Sequence, residues 1–361
     1  MIGSLGGLPA IMDLNNGKIK YYDWMDGFVA ENKSVVIDFL EIYENKMYAL
    51  DSYGNSLIIF DLENSHYQYV TLNCNQYDLI NFAAFERYGL DYYIFPKYGD
   101  KILVFNIEKN KITEIVGYLK DNNEIQCACR VNNEVWIVPQ NADRICCFNL
   151  NTKKNQNFKL NRRIQDCVHA VYKEGSVYIL NMFGIIYIWD IEKKDLKEIT
   201  AAETEHDDRY TMSRIIYAGN SLILLPARGS EIKIYDLQKE KVSIYHEYPE
   251  DYFDETTWYR FYGYCDDEEY YYFAMCAGSY LLRINKQTGS LIWTKPLIKR
   301  LGETAVKLLL GRNNSFFKES FLEVTDLPKV SAACGNQRDQ MNIGRKIYTK
   351  TCTTEDKRGL K

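Results

Sequence analysis

Little in this sequence announces a chemistry. It holds only four histidines, His66, His169, His206 and His246, and no GxSxG, HExxH, P-loop or dinucleotide fingerprint in a fitting context. That weighs against an enzyme without closing the question, since Asp and Glu are plentiful and sequence spacing says nothing of carboxylate separation in space. Basic runs stop at pairs such as Arg162-Arg163 and the net charge is −5, so no nucleic-acid partner is expected, because phosphate backbones need clustered Lys and Arg. No apolar stretch nears the ~20 residues of a membrane helix. The first residues, "MIGSLGGLPAIMDLNN", lack the charged start and long apolar core of a secretion signal. A cytoplasmic protein with no membrane partner is therefore expected. The ten cysteines follow no CxxC and no secreted framework, which predicts reduced thiols packed as small hydrophobes. Cys127 and Cys129 share a strand face in "CACR", yet no His or second Cys pair stands near at ligand spacing. Neither a metal nor a cofactor is expected.

What the chain has in quantity is aromatic residues, 30 Tyr, 16 Phe and 5 Trp, or 14% of its 361 positions. Such residues suit pleated, half-buried surfaces. With 46% apolar and 26% charged residues the chain can build a sizeable core. One motif recurs as "IMDLNNGKI" at Ile11, "IFDLENSHY" at Ile59, "VFNIEKNKI" at Val104, "CFNLNTKKN" at Cys147, "IWDIEKKDL" at Ile188, "IYDLQKEKV" at Ile234 and "RINKQTGSL" at Arg283. Its shared residue is Asp13, Asp61, Asn106, Asn149, Asp190, Asp236 or Asn285, at spacings of 41 to 49 residues.

Before the motif stands a second alternating run, such as "KMYALD", "YYIFP" or "LILLP", and before that a third, such as "AVYKEG", separated by a polar or Gly turn. Period-two runs bounded by Gly, Asn and Asp are strand and hairpin signals, so each unit reads as a four-stranded antiparallel meander. The recurring Asp or Asn ends the third strand, where a short side-chain oxygen can accept backbone N–H groups further along the turn. That is a structural job. Seven catalytic copies have no mechanistic use.

Meanders of this size cannot bury both faces alone and must stack. Four-stranded units at this spacing match the blades of a β-propeller. The expectation is an all-β, seven-bladed β-propeller closed by pairing N- and C-terminal half-blades, with six blades as the alternative. The propeller would span 1–320, with a half-blade at 1–28, six blades at 35–298 and a closing half-blade at 305–320, where "LGRNNSFF" lines up with "CRVNNEVW". A short, partly helical C-terminal tail would follow at 321–361. The stretch "SEIKIYDLQKEKV" resembles repeats of the YVTN type, and "LLRINKQTGSLIW" resembles repeats of quinoprotein-type propellers. Each likeness covers one strand pair. The Gly-His and Trp-Asp pair of WD repeats and the double Gly of kelch repeats are missing. The resemblance to the broad β-propeller repeat superfamily implies a propeller and no particular activity.

In a propeller the first strand of each blade lines a central channel, and ligands commonly meet its mouth or the loops around it. Aligning the first strands puts His169 in "DCVHAVY", Arg214 in "MSRIIY" and Arg260 in "WYRFYGY" at one register, with Phe39, Ala84, Cys127 and Leu308 in the other blades. Forked guanidiniums beside a titratable imidazole suit a carboxylate or phosphate. Pairing with Asp166, Asp207 or Asp208 is the alternative. Loops expected on the upper face add Trp24, Asp26, His206, Asp207, Asp208, Tyr252, Trp258 and Tyr259, aromatics among carboxylates that stack sugars or grip basic peptides. A monomeric, non-enzymatic binding or scaffold propeller for a protein, peptide or carbohydrate is expected. The alternative is a lyase or hydrolase acting on an anionic sugar at the channel mouth, gripped by His169, Arg214 and Arg260.

Overall fold

An alternating run has one apolar face, and it can bury that face only against another run. The computed structural model follows this rule along the whole repeat. It describes residues 2–5, 8–12, 18–21, 37–51, 56–64, 66–72, 82–98, 101–116, 124–200, 212–227, 231–249, 261–275, 280–294, 297–299 and 321–323. Strands numbered β1 to β29 in chain order are the only regular elements among the described residues. No helix there is long and apolar enough to cross a membrane.

Six consecutive groups of four strands each form one antiparallel sheet, the first running from β4 (Ile37–Tyr43) to β7 (His66–Thr71) and the last from β24 (Phe261–Asp266) to β27 (Leu291–Thr294). The protein is an all-β propeller with six four-stranded blades. This is the six-bladed alternative rather than the expected seven. The terminal strands β1 (Ile2–Leu5), β2 (Leu8–Met12), β3 (Lys18–Tyr21), β28 (Leu297–Lys299) and β29 (Phe321–Glu323) make one five-stranded sheet in that order. Within it β3 and β28 run parallel, with Leu297 opposite Lys18 and Ile298 opposite Ile19. An up-and-down meander yields only antiparallel neighbours, so this sheet is not a seventh copy of the blade. Its C-terminal strands are 297–299 and 321–323. The expected closing segment 305–320 and the tail from 324 onward lie outside the described residues.

The chain divides into two compact units. One is continuous, Thr71–Tyr245, and holds the second to fifth blades. The other combines Met1–Val70 with His246–Lys361 and holds the first and sixth blades and the five-stranded sheet.

At one end of every blade the recurring Asp or Asn organises the turn between the third and fourth strands. Asp61 Oδ1 accepts from the N–H of Glu63 and of Asn64, both at 2.9 Å. Asn149 Oδ1 does the same for Asn151 and Thr152, Asp236 Oδ1 for Gln238 and Lys239, and Asn285 Oδ1 for Gln287 and Thr288. Asn106 accepts from the N–H of Lys109, and Asp190 from that of Lys193, in the same way. Four residues after the Asp or Asn the chain turns left-handed, at Asn110, Lys153, Lys194, Glu240 and Gly289. These bonds favour the ionised carboxylate: the side chain and N–H of Lys193 hold the Asp190 carboxyl below its usual range, and the N–H groups at Lys239 and Asn64 do so for Asp236 and Asp61.

In the continuous unit the blades meet through apolar seams. Tyr93, Phe95 and Val104 of the second blade pack against Val135, Ile137 and Phe148 of the third. Trp136, Val138 and Ile145 of the third pack against Val177, Ile179 and Trp189 of the fourth. Leu180 and Ile186 of the fourth pack against Ile215, Leu222 and Leu224 of the fifth. Each fully buried aliphatic side chain here contributes about 1.5–3 kcal/mol.

Candidate functional site

The end opposite the Asp turns is built by a device that repeats in all six blades. The first strands of the six blades are β4, β8 (Phe82–Tyr88), β12 (Ile125–Val131), β16 (Cys167–Lys173), β20 (Met212–Ala218) and β24. Each opens with one residue more than its neighbour strand, a β-bulge. Cys167 faces Asn181 and the next pair is His169 with Leu180, skipping Val168. Met212 faces Pro226 and the next pair is Arg214 with Leu225, skipping Ser213. The same skip passes over Asp38, Ala83, Gln126 and Tyr262. An extra residue re-aims the side chain that follows it. In the fifth blade the skipped residue also satisfies local backbone, since Ser213 Oγ lies 3.2 Å from the carbonyl oxygens of Leu225 and Pro226.

Backbone hydrogen bonds join these ends from blade to blade in the continuous unit. The N–H that starts each first strand donates to the residue just past the second strand of the preceding blade: Ile125 to Lys97 O at 2.9 Å, Cys167 to Gln140 O at 3.0 Å and Met212 to Met182 O at 3.0 Å. In two of those second strands the last residue is proline, Pro96 and Pro139. Proline closes a strand because it has no N–H to extend the ladder.

The residue after the bulge is Phe39, Ala84, Cys127, His169, Arg214 or Gly263 in the six blades. This ladder changes the expected alignment at one place. Gly263, three residues past Arg260, holds the register of His169 and Arg214. Arg260 itself lies outside the described residues, as do Leu308, Trp24, Asp26, His206, Asp207, Asp208, Tyr252, Trp258 and Tyr259.

His169 and Arg214 stand on adjacent first strands and do come together. His169 is half-buried, and its imidazole hydrogen-bonds to the Ile215 backbone of the fifth blade. Its Nδ1 is sealed from solvent and has no partner. Burial, reinforced by the Arg214 charge, pushes its pKa down to about 3 against the support of the Ile215 bond. The ring is therefore neutral throughout the physiological range. One step along, the Cys127 thiol is buried and its pKa is pushed up to about 12 by that burial. Burial also holds Cys129 and Cys167 as protonated thiols, so they are poor nucleophiles. Among the described residues no group of three or more His, Cys, Asp or Glu is arranged to hold a metal ion.

The acidic turn of the sixth blade is also structural. Asp267 Oδ1 accepts from the N–H of Glu269 and Tyr270, its Oδ2 receives Tyr272 Oη–H at 2.6 Å, and Lys286 Nζ pairs with Asp266 at 2.6 Å. Beside it Tyr264, at 46% the most exposed large apolar side chain among the described residues, stacks on Tyr271 with ring centres 6.2 Å apart.

Sequence reasoning missed the bulge, although the proline at the end of "YYIFP" and "VWIVP" marks where the neighbouring strand stops. No protein-family model matches the chain, and no curated protein matches it. Among solved structures, the chain is similar to the computationally designed Ika8 protein, at 12% identity with a TM-score of 0.52, covering 81% of this chain and 82% of that one. A likeness at that identity shows the fold and nothing of the activity.

Proposed function

We propose that the protein is a non-enzymatic binding scaffold that takes a protein, peptide or carbohydrate ligand at the bulged ends of the second to fifth blades. The observation that carries this reading is the state of His169. Its ring is pinned to the Ile215 backbone and stays neutral down to about pH 3, so it neither relays protons near neutrality nor holds an anion by charge. In the continuous unit this backbone device recurs in four blades with four different side chains, Ala84, Cys127, His169 and Arg214, which suits a surface that selects by contact. The anionic-sugar reading keeps one support, the Arg214 charge felt at His169.

The test is a glycan and peptide array probed with full-length protein, run beside a turnover assay on uronic-acid oligosaccharides. The expected result is a retained ligand whose signal falls at least about tenfold in Arg214→Ala, with no turnover. Turnover that disappears in Arg214→Ala, with no retained ligand, would replace the scaffold with an enzyme.

A further inference from the structure

The fourth strand of the third blade, β15 (Lys154–Ile164), departs from its counterparts. It runs 11 residues, against 4 to 6 for the outer strands of the other blades. Its sequence, KNQNFKLNRRI, holds four basic residues and no acidic one, in a chain of net charge −5. The ladder with β14 (Ala142–Asn149) runs from Lys154 opposite Asn149 to Lys159 opposite Arg144, then breaks and resumes with Ile164 opposite Ala142. The intervening segment 160–163 straps across to the fourth blade. Leu160 is buried in the seam, Asn161 Nδ2 donates to Asp195 Oδ1 at 2.7 Å, and Arg162 pairs with Glu198 at 3.1 Å.

Those contacts engage both carboxylates of β19 (Asp195–Thr200), the groups that would otherwise offset the positive charge here. Lys154, Lys159, Arg163 and Lys197 are exposed, and among the described residues no ion pair engages them. β15 is also the terminal strand of its sheet, so one edge of its backbone has no ladder partner.

We propose that this edge binds an acidic, extended segment of a partner protein by strand addition, with carboxylates of the segment meeting Lys154, Lys159, Arg163 and Lys197. Charge complementarity selects the occupant. Lysines on an open edge repel another basic strand and so block pairing between copies of β15, whereas an acidic strand meets attraction. Main-chain hydrogen bonds would supply affinity, and the side chains alternating along the edge would supply selectivity. This surface is distinct from the bulged blade ends and does not rest on their proposed role.

The probe is a fluorescein-labelled decapeptide alternating Glu and Val, titrated into the full-length protein and followed by anisotropy. Saturable binding is expected, weakened about tenfold or more in the combined Lys159→Glu, Arg163→Glu, Lys197→Glu variant. Two further decapeptides, N-methylated at alternate residues in the two possible frames, separate strand addition from simple charge attraction, and one frame should lose binding. If the combined variant loses the wild-type circular dichroism spectrum, Lys159→Glu and Arg163→Glu are measured singly, each with about a threefold loss expected. The proposal is overturned by absence of saturable binding, by unchanged binding in the charge-reversed variants, by equal binding of both N-methylated frames, or by tighter binding of a single-stranded oligothymidylate than of the peptide.

Discussion

The two ends of a blade follow different rules. At the Asp-turn end backbone and side chain repeat together, with the same oxygen bonding N–H groups two and three residues on, at Asp61, Asn149, Asp236 and Asn285. At the bulged end only the backbone repeats, and the residue it presents changes from Phe39 to Ala84, Cys127, His169, Arg214 and Gly263. Chemistry that recurs in every copy serves the copy itself. Chemistry that differs on a fixed backbone is free to serve something outside it.

This contrast can be broken most forcefully at His169. Its folded pKa, about 3, lies below the ~6.5 of an unfolded histidine, so unfolding takes up a proton in acid. The stability that a neutral, buried ring represents is complete above pH ~6.5 and is lost progressively as pH falls toward 3. His169→Leu should remove that dependence, flattening the decline in urea-unfolding stability by up to about 1.4 kcal/mol per pH unit within this window. Parallel pH profiles for the two proteins would mean the ring is not buried neutral.

At the turn end, Asn285 is buried, and its Oδ1 accepts from Gln287 N, Thr288 N and Thr288 Oγ1. Asn285→Ala should cost about 2 kcal/mol by chemical denaturation, and Asn149→Ala, at an exposed turn, about 1 kcal/mol. Equal costs would show that the turns do not depend on burial. Asp190→Asn should remove acid sensitivity at its own turn. A depressed carboxylate pKa gives stability that is present above pH ~4 and lost as pH falls through the folded value, which hydrogen exchange in the fourth blade would report. The smallest effect is a gain: Glu240 sits at φ 50°, and Glu240→Gly should raise stability by about 0.5 kcal/mol, read as a higher denaturation midpoint.

The turn end was legible in the sequence because its cause is local. A short oxygen three residues before a backbone N–H leaves the same trace in every copy. The register of Ala84, Cys127, His169 and Arg214 was legible because alternation is strict once the bulge is passed. It misled at Arg260, since "WYRFYGY" is aromatic in both phases and a skipped residue shifts the period by one. The count of seven misled because nothing local marks a parallel pair between residues 18 and 297. The strap at 160–163 left no trace either: its partners, Asp195 and Glu198, belong to the next blade.

The parallel pair of β3 and β28 also sets a timetable. A chain made from its N-terminus has every strand of the 71–245 unit in hand well before β28 exists. At roughly 5–20 residues per second, β3 stands for on the order of 15–60 s before its partner is synthesised. During that interval the four middle blades can stack on one another, while the first strands made keep an edge open to any passing chain. One edge of β3 thus waits for a partner made some 276 residues later, so the rate of translation enters the yield of the folded protein.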